Sequence, residues 1–224
     1  MTEYEKIHEV TDTAKLTFYW GVGIILNRTC GYYPSQYMVD LSQKHVDGKI
    51  TLEEIDDMIK DAFQNKDLHE KVSADNYEGD LLSKRIVELM SDSGFTFSPV
   101  TLKTYHEYLF EDIMEKEDIG RFRANSEKRE ETFIGINTNE DESKTIDEKI
   151  QTMLQEEKKY RYTYPMNNED IKHVLLFVGG LVQLSPFVRG NIRTVSVFVI
   201  KYLFSIGFDV DATIAQLSDY LDLN

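Results

Sequence analysis

Apolar residues recur at helical spacing along most of the chain, and strand-like alternation is confined to one short stretch. Residues 6–29 carry the first helical pattern. Gly31-Tyr32-Tyr33-Pro34-Ser35 breaks it, with Ser35 placed to cap a short helix over 36–45. Asp47-Gly48 marks a turn. Thr51-Leu52-Glu53-Glu54 has the spacing of a capping box, so a further helix is expected to about residue 65. In the 77–91 segment Leu81, Leu82, Ile86, Val87, Leu89 and Met90 form one apolar face, and Gly94 closes it. Ser98-Pro99 opens another helix, carrying Leu102, Tyr105, His106, Leu109, Phe110 and Ile113. The alternating stretch is Thr132-Phe133-Ile134-Gly135-Ile136 followed by the acidic tip 139–142, which predicts a small β-hairpin flap. Helix returns over 146–157, and a Tyr-rich loop fills 160–166. Two more apolar segments, 173–184 and 194–200, flank an irregular stretch, and a last short helix is expected at 211–221. The fold class is mostly α. A composition shift near 66–73 divides the pattern into a helical module, 1–68, and a main domain, 69–224.

The irregular stretch between the two apolar segments carries the most chemistry. It reads Leu184-Ser185-Pro186-Phe187-Val188-Arg189-Gly190-Asn191-Ile192-Arg193-Thr194. Proline removes a backbone donor and breaks a helix, and glycine admits a left-handed turn. A glycine turn feeding a helix is a natural anion site, because unbonded N–H groups and the positive end of the helix dipole face the ligand. Arg189 and Arg193 concentrate positive charge there, in geometry suited to phosphate oxygens. Arg189, Gly190, Asn191 and Arg193 are therefore the candidate phosphate- or nucleotide-binding residues. A purely structural turn is the competing reading.

Composition narrows the partners. The net charge is −15 over 224 residues, with no long Lys/Arg cluster, which argues against a nucleic-acid partner. The apolar segments are shorter than the about 20 residues of a membrane span or are broken by Pro186 and Lys201, so no membrane partner is expected. One cysteine, Cys30, excludes an internal disulfide and fits a reducing, cytoplasmic setting. It is expected to be a small buried residue. His8, His45, His69, His106 and His173 form no ligand cluster with it, so no metal site is predicted. His106, among aromatic residues, reads as a packed, hydrogen-bonded core histidine, and His173 as structural. The segment around Asp47-Gly48 echoes half a calcium loop. Aligning Gly48 and Glu54 with such a loop puts Gln43 and His45 where carboxylates are needed, so a turn and a capped helix fit better.

The 184–194 stretch resembles the signature of the Fic/Doc family, His-Pro-Phe-x-(Asp/Glu)-Gly-Asn-Gly-Arg-x-x-Arg. The 102–112 helix, Gly120-Arg121-Phe122-Arg123 and the 131–146 hairpin are similar to the family's earlier helix, its Gly-x-x-Arg and its target-docking flap. The likeness spans roughly residues 70–215. It implies a Fic-type helical core, with a protein target docking at the flap residues Thr132, Phe133, Ile134 and Gly135. Family members transfer AMP from ATP to protein hydroxyls, with Mg²⁺. Carried over by position, Pro186 and Phe187 shape the loop, Gly190 and Asn191 contact phosphate, and Arg193 holds the β- or γ-phosphate. The N-terminal part is similar to the helical antitoxin module of bacterial toxin–antitoxin pairs. Its inhibitory motif would fall at Cys30 and Gly31, with Leu26 at the Ser/Thr position.

The departures concern catalysis. Ser185 stands at the position of the base histidine, and a hydroxyl cannot accept a proton at neutral pH as imidazole does. Arg189 replaces the metal-binding carboxylate, Ile192 the second glycine and Ser196 the final arginine. At the inhibitory position Cys30 replaces the glutamate that would pair with that arginine, so both ends of the inhibitory ion pair are gone. The resemblance therefore implies a degenerate Fic protein that keeps a phosphate-binding or regulatory role. Two other readings stay open: an active variant using ATP and Mg²⁺, and a non-enzymatic interaction protein docking through the flap. The target and the oligomeric state are not encoded in any motif.

Overall fold

A computed structural model describes residues 12–64, 72–127 and 143–208. These contain eight α-helices and no strand, the mostly helical class that the spacing predicts. The flap residues Thr132, Phe133, Ile134 and Gly135, and the 211–221 segment, lie outside the described residues. So does the 68/69 boundary read from composition; by contacts, the chain divides into two compact units at Gly94/Phe95.

The first unit holds α1 (Thr13–Thr29), α2 (Gln36–Val46), α3 (Leu52–Gln64), a 3₁₀ turn at Ala74–Asn76 and α4 (Tyr77–Ser91). Its starts follow the capping chemistry. The Asp12 carboxylate accepts the Ala14 and Lys15 amides, and Ser35 Oγ accepts the Met38 amide. Thr51 and Glu54 form the expected reciprocal box: Thr51 Oγ1 accepts the Glu54 amide at 3.1 Å and Glu54 Oε2 accepts the Thr51 amide at 2.7 Å. Helices α1 and α4 cross closely because Gly23 has no side chain; a Cβ there would lie 2.8 Å from the Ser83 carbonyl oxygen. Beside that crossing, fully buried Asn27 donates to the Gly23 carbonyl and to Ser83 Oγ. Asp80 is buried and accepts both the Ser35 amide and its hydroxyl. Burial pushes its carboxyl up to about 6, against the lowering effect of the two Ser35 bonds. Cys30 is half-buried at the α1 C-cap, not enclosed as expected: it sits where the helix ends and the chain turns through Gly31 at φ +84°.

The second unit holds α5 (Pro99–Phe110), α6 (Ile146–Glu157), α7 (Asn168–Leu184) and α8 (Asn191–Ser205). Helix α5 stops before Ile113, which the apolar pattern had included: Glu111 turns extended and Asp112 takes φ +61°. Leu102, Leu109, Ile150, Leu181, Val195 and Phe198 fill the core, each worth about 1.5–3 kcal/mol of apolar burial. Phe97 stacks on Tyr202 with centroids 4.1 Å apart and on Phe198 at 5.4 Å. Lys103 ties α5 to α6 through a 2.7 Å pair with Asp147. The core thereby holds α7 and α8 side by side, so the 185–190 loop joining them lies at one end of the pair.

Candidate functional site

The loop begins where α7 ends. Ser185 caps that helix in the left-handed region, φ +47°, and its hydroxyl donates to the Val182 carbonyl at 3.1 Å. The Ser185 hydroxyl is thus engaged with the helix end, and the residue is 1% exposed. The loop ends at Gly190, φ +82°, which leads into the first residue of α8 without a side chain to cap it. A Cβ at Gly190 would lie 2.2 Å from Phe110 Cζ, so both the backbone angle and the space require glycine.

Three side chains fasten this loop by its backbone, two of them from distant parts of the sequence. Arg123, 3% exposed, donates from Nε to the Ser185 carbonyl at 2.6 Å and from Nη2 to the Leu184 carbonyl at 3.0 Å. Its own amide donates to the Pro186 carbonyl at 2.9 Å. Asn191 spans the loop from inside: the Phe187 amide donates to its Oδ1 at 2.8 Å, and its Nδ2 donates to the Phe187 carbonyl at 3.0 Å. His106 on α5 lies flat against Phe187, centroids 3.8 Å apart. Its Nε2–H donates to the Arg189 carbonyl at 3.0 Å, and Nδ1 accepts the Gly120 amide at 3.1 Å. That pattern needs a neutral ring. Burial pulls the imidazole down to about 4, helped by the charges of Arg193 and Arg189 and opposed by the bond to the Arg189 carbonyl.

The residues picked out by sequence thus divide into two kinds. Ser185, Asn191 and Arg193 are inside, and Arg193 is fully buried with its guanidinium carbon 4.9 Å from the Phe110 ring centroid. Gly190 is buried as the turn. Arg189 is half-buried at the loop rim. Cys30 and Gly31 belong to the first unit. His106 is the packed core residue expected. Arg121, next to the Gly120 turn, is an outer residue paired with Glu127 and Asp118, whereas Arg123 turns inward.

A second polar constellation went unread in the sequence. Glu157, at the end of α6, is 2% exposed and accepts His173 Nε2–H at 2.7 Å and the Tyr162 hydroxyl at 2.5 Å. The Tyr202 hydroxyl also bonds it. Burial, then the carboxylate, raises both phenols far above their ordinary range, so they stay protonated donors. Tyr160 stacks on His173 at 3.6 Å and donates to Asp170 Oδ1 at 3.0 Å. The Tyr-rich composition of 160–166 was visible, but its carboxylate partner on α6 and Tyr202 on α8 were not.

Among the described residues no group of His, Cys, Asp and Glu is placed to hold a metal, and no helix is long and apolar enough to cross a membrane. The fold and the loop define a mostly helical protein with a backbone-fastened turn leading into a helix. No family model, curated protein or solved structure matches the chain.

Proposed function

We propose that this chain is a degenerate Fic-type protein, which has lost AMP transfer and keeps a phosphate- or nucleotide-binding, regulatory role at the 185–191 loop. The observation that carries the reading is the way the loop is held: two left-handed residues, Ser185 and Gly190, bracket it, and Arg123, Asn191 and His106 fix its backbone at the start of α8. A preformed turn ahead of a helix start lets backbone amides meet an anion with little ordering cost. Arg189 at the rim adds charge. The loss of transfer is supported by Ser185, whose hydroxyl is committed to the Val182 carbonyl, and by a cation at the position where Mg²⁺ would need a carboxylate.

Calorimetric titration of ATP with Mg²⁺, run beside incubation of labelled ATP with a cell lysate, tests the reading. Saturable ATP binding, weakened by Arg189→Ala, with no label on lysate proteins, is the expected result. Label transfer would sink it in favour of an active variant, and absence of ATP binding would leave an interaction protein. Combining Ser185→His, Arg189→Glu, Ile192→Gly and Ser196→Arg asks whether the loop positions alone account for the lost chemistry.

A further inference from the structure

Two cavities flank Tyr160 in the second unit, away from the 185–191 loop in sequence. The larger, about 560 Å³, has His173 and Glu157 in its wall, and these satisfy each other. The smaller, about 430 Å³, is different in kind. Tyr160, Tyr162, Tyr164 and Tyr202 line it, together with the cations Lys158 and Arg161, and among the described residues no carboxylate does.

Its walls are fixed from behind. Tyr162 and Tyr202 are anchored through their hydroxyls to buried Glu157, and Tyr160 through its own to Asp170. With hydroxyls held, these rings cannot turn freely, and their apolar surface bounds the cavity. Tyr164 is 72% exposed, its ring 5.7 Å from that of Phe208. An exposed aromatic ring at the mouth of an aromatic-lined cavity offers a face for stacking.

Among the described residues the cations have no ion-pair partner. Arg161 uses one nitrogen, Nη1, on the Lys158 and Tyr160 carbonyls at 3.1 and 3.4 Å, which steadies the guanidinium. Lys158 Nζ lies 5.8 Å from the Phe97 ring centroid. Neither forms an ion pair among the described residues. In a chain of net charge −15, two cations line this cavity, while the carboxylates of Glu157 and Asp170 lie behind its tyrosines. The volume lies in the range of small-molecule sites.

We propose that this cavity binds a small anion carrying a planar aromatic ring, the ring against the tyrosines and the anionic group on Arg161 and Lys158. A mononucleotide and an aromatic carboxylate share that chemistry. The site stands apart from the loop function, and neither reading depends on the other.

Titration of the full chain with AMP and, separately, with 4-hydroxyphenylacetate tests it, read by tyrosine fluorescence and calorimetry. Adenosine and inorganic phosphate serve as the ring-only and charge-only halves. The expected result is saturable binding of one of the two anions below about 1 mM, weakened roughly tenfold by Arg161→Ala and by Lys158→Ala. Tyr164→Ala should weaken it about fivefold or more through lost stacking. Arg189→Ala should leave binding of 4-hydroxyphenylacetate unchanged, which separates this cavity from the loop. All four positions are exposed or half-buried, and unchanged circular dichroism and thermal unfolding would verify that the variants fold. The proposal is overturned if neither anion binds, if Arg161→Ala and Lys158→Ala leave binding intact, if Arg189→Ala abolishes binding of 4-hydroxyphenylacetate, or if adenosine or phosphate alone binds as tightly as AMP while 4-hydroxyphenylacetate does not bind.

Discussion

The two ends of α7 solve opposite problems. At its C-terminal end, side chains hold backbone: Arg123, Asn191 and His106 all bond carbonyls or amides of the 184–190 turn. At its N-terminal end, side chains hold side chains: Glu157 gathers His173, Tyr162 and Tyr202, and Asp170 takes Tyr160. The first arrangement makes one backbone shape obligatory and buries most of its polar residues. The second leaves the backbone of 160–166 irregular and fixes ring positions instead. A site that presents backbone amides needs the former; a site that presents aromatic faces and charges needs the latter.

The sharpest way to break the C-terminal end is Gly190→Ala. It adds a methyl group 2.2 Å from Phe110 and forces a residue with a side chain to φ +82°, so a loss of about 3 kcal/mol or more is expected in urea unfolding. A loss under about 1 kcal/mol would mean that the turn is not constrained as described.

Protonation of His106 comes next. Its folded-state pKa is about 4, while an imidazole in the unfolded chain titrates near 6.5. The unfolded state therefore takes up the proton first as pH falls. The contribution is fully present above pH 6.5 and is lost progressively toward pH 4, on the order of 3 kcal/mol. Asp80 in the first unit behaves the other way: its carboxyl is raised to about 6, so the folded state holds the proton, and stability is gained as pH falls from about 6 toward 3.8. Amide exchange between pH 7 and 5 should show α5 and α8 losing protection while α4 gains or keeps it. His106→Asn should flatten the response in the second unit; an unchanged slope would refute the assignment.

Glu157→Gln breaks the other end of α7. A neutral amide cannot accept from three donors as a carboxylate does, so about 2 kcal/mol should be lost. The tyrosine ring resonances of 160–164 should shift while those around Phe187 stay in place. Spread of the change to Phe187 would show that the two ends are coupled.

The smallest effect has the opposite sign. Ser185→Gly relieves a non-glycine residue at φ +47° and gives up one hydroxyl bond, for a net gain of up to about 1 kcal/mol. A loss above that size would mean that the hydroxyl matters more than the backbone strain.

Local chemistry made much of this legible in advance. The Thr51–Glu54 box, the Ser35 and Ser98 caps, the Pro99 start and the Gly190 turn depend on residues within a few positions of one another, and each formed as its spacing predicts. The end of α5 did not, because the left-handed step at Asp112 overrode an apolar pattern that ran on to Ile113. In the candidate site the identity of the loop residues was readable but their direction was not. Asn191 looked like a phosphate ligand, yet its amide is spent on Phe187, and Arg193 lies wholly inside.

What the sequence determined by itself is the helical class, the order of the helices and the presence of a glycine turn between α7 and α8. These follow from apolar periodicity and from caps that act over one turn of chain. What only the tertiary structure decided is which charged groups serve the fold and which face outward. Arg123 reaches the Ser185 carbonyl across 62 positions and His106 reaches Arg189 across 83, whereas Arg161 hydrogen-bonds carbonyls within three positions of itself. A charge is drawn inside only where packing delivers a partner to it, and that delivery depends on contacts that no local spacing records.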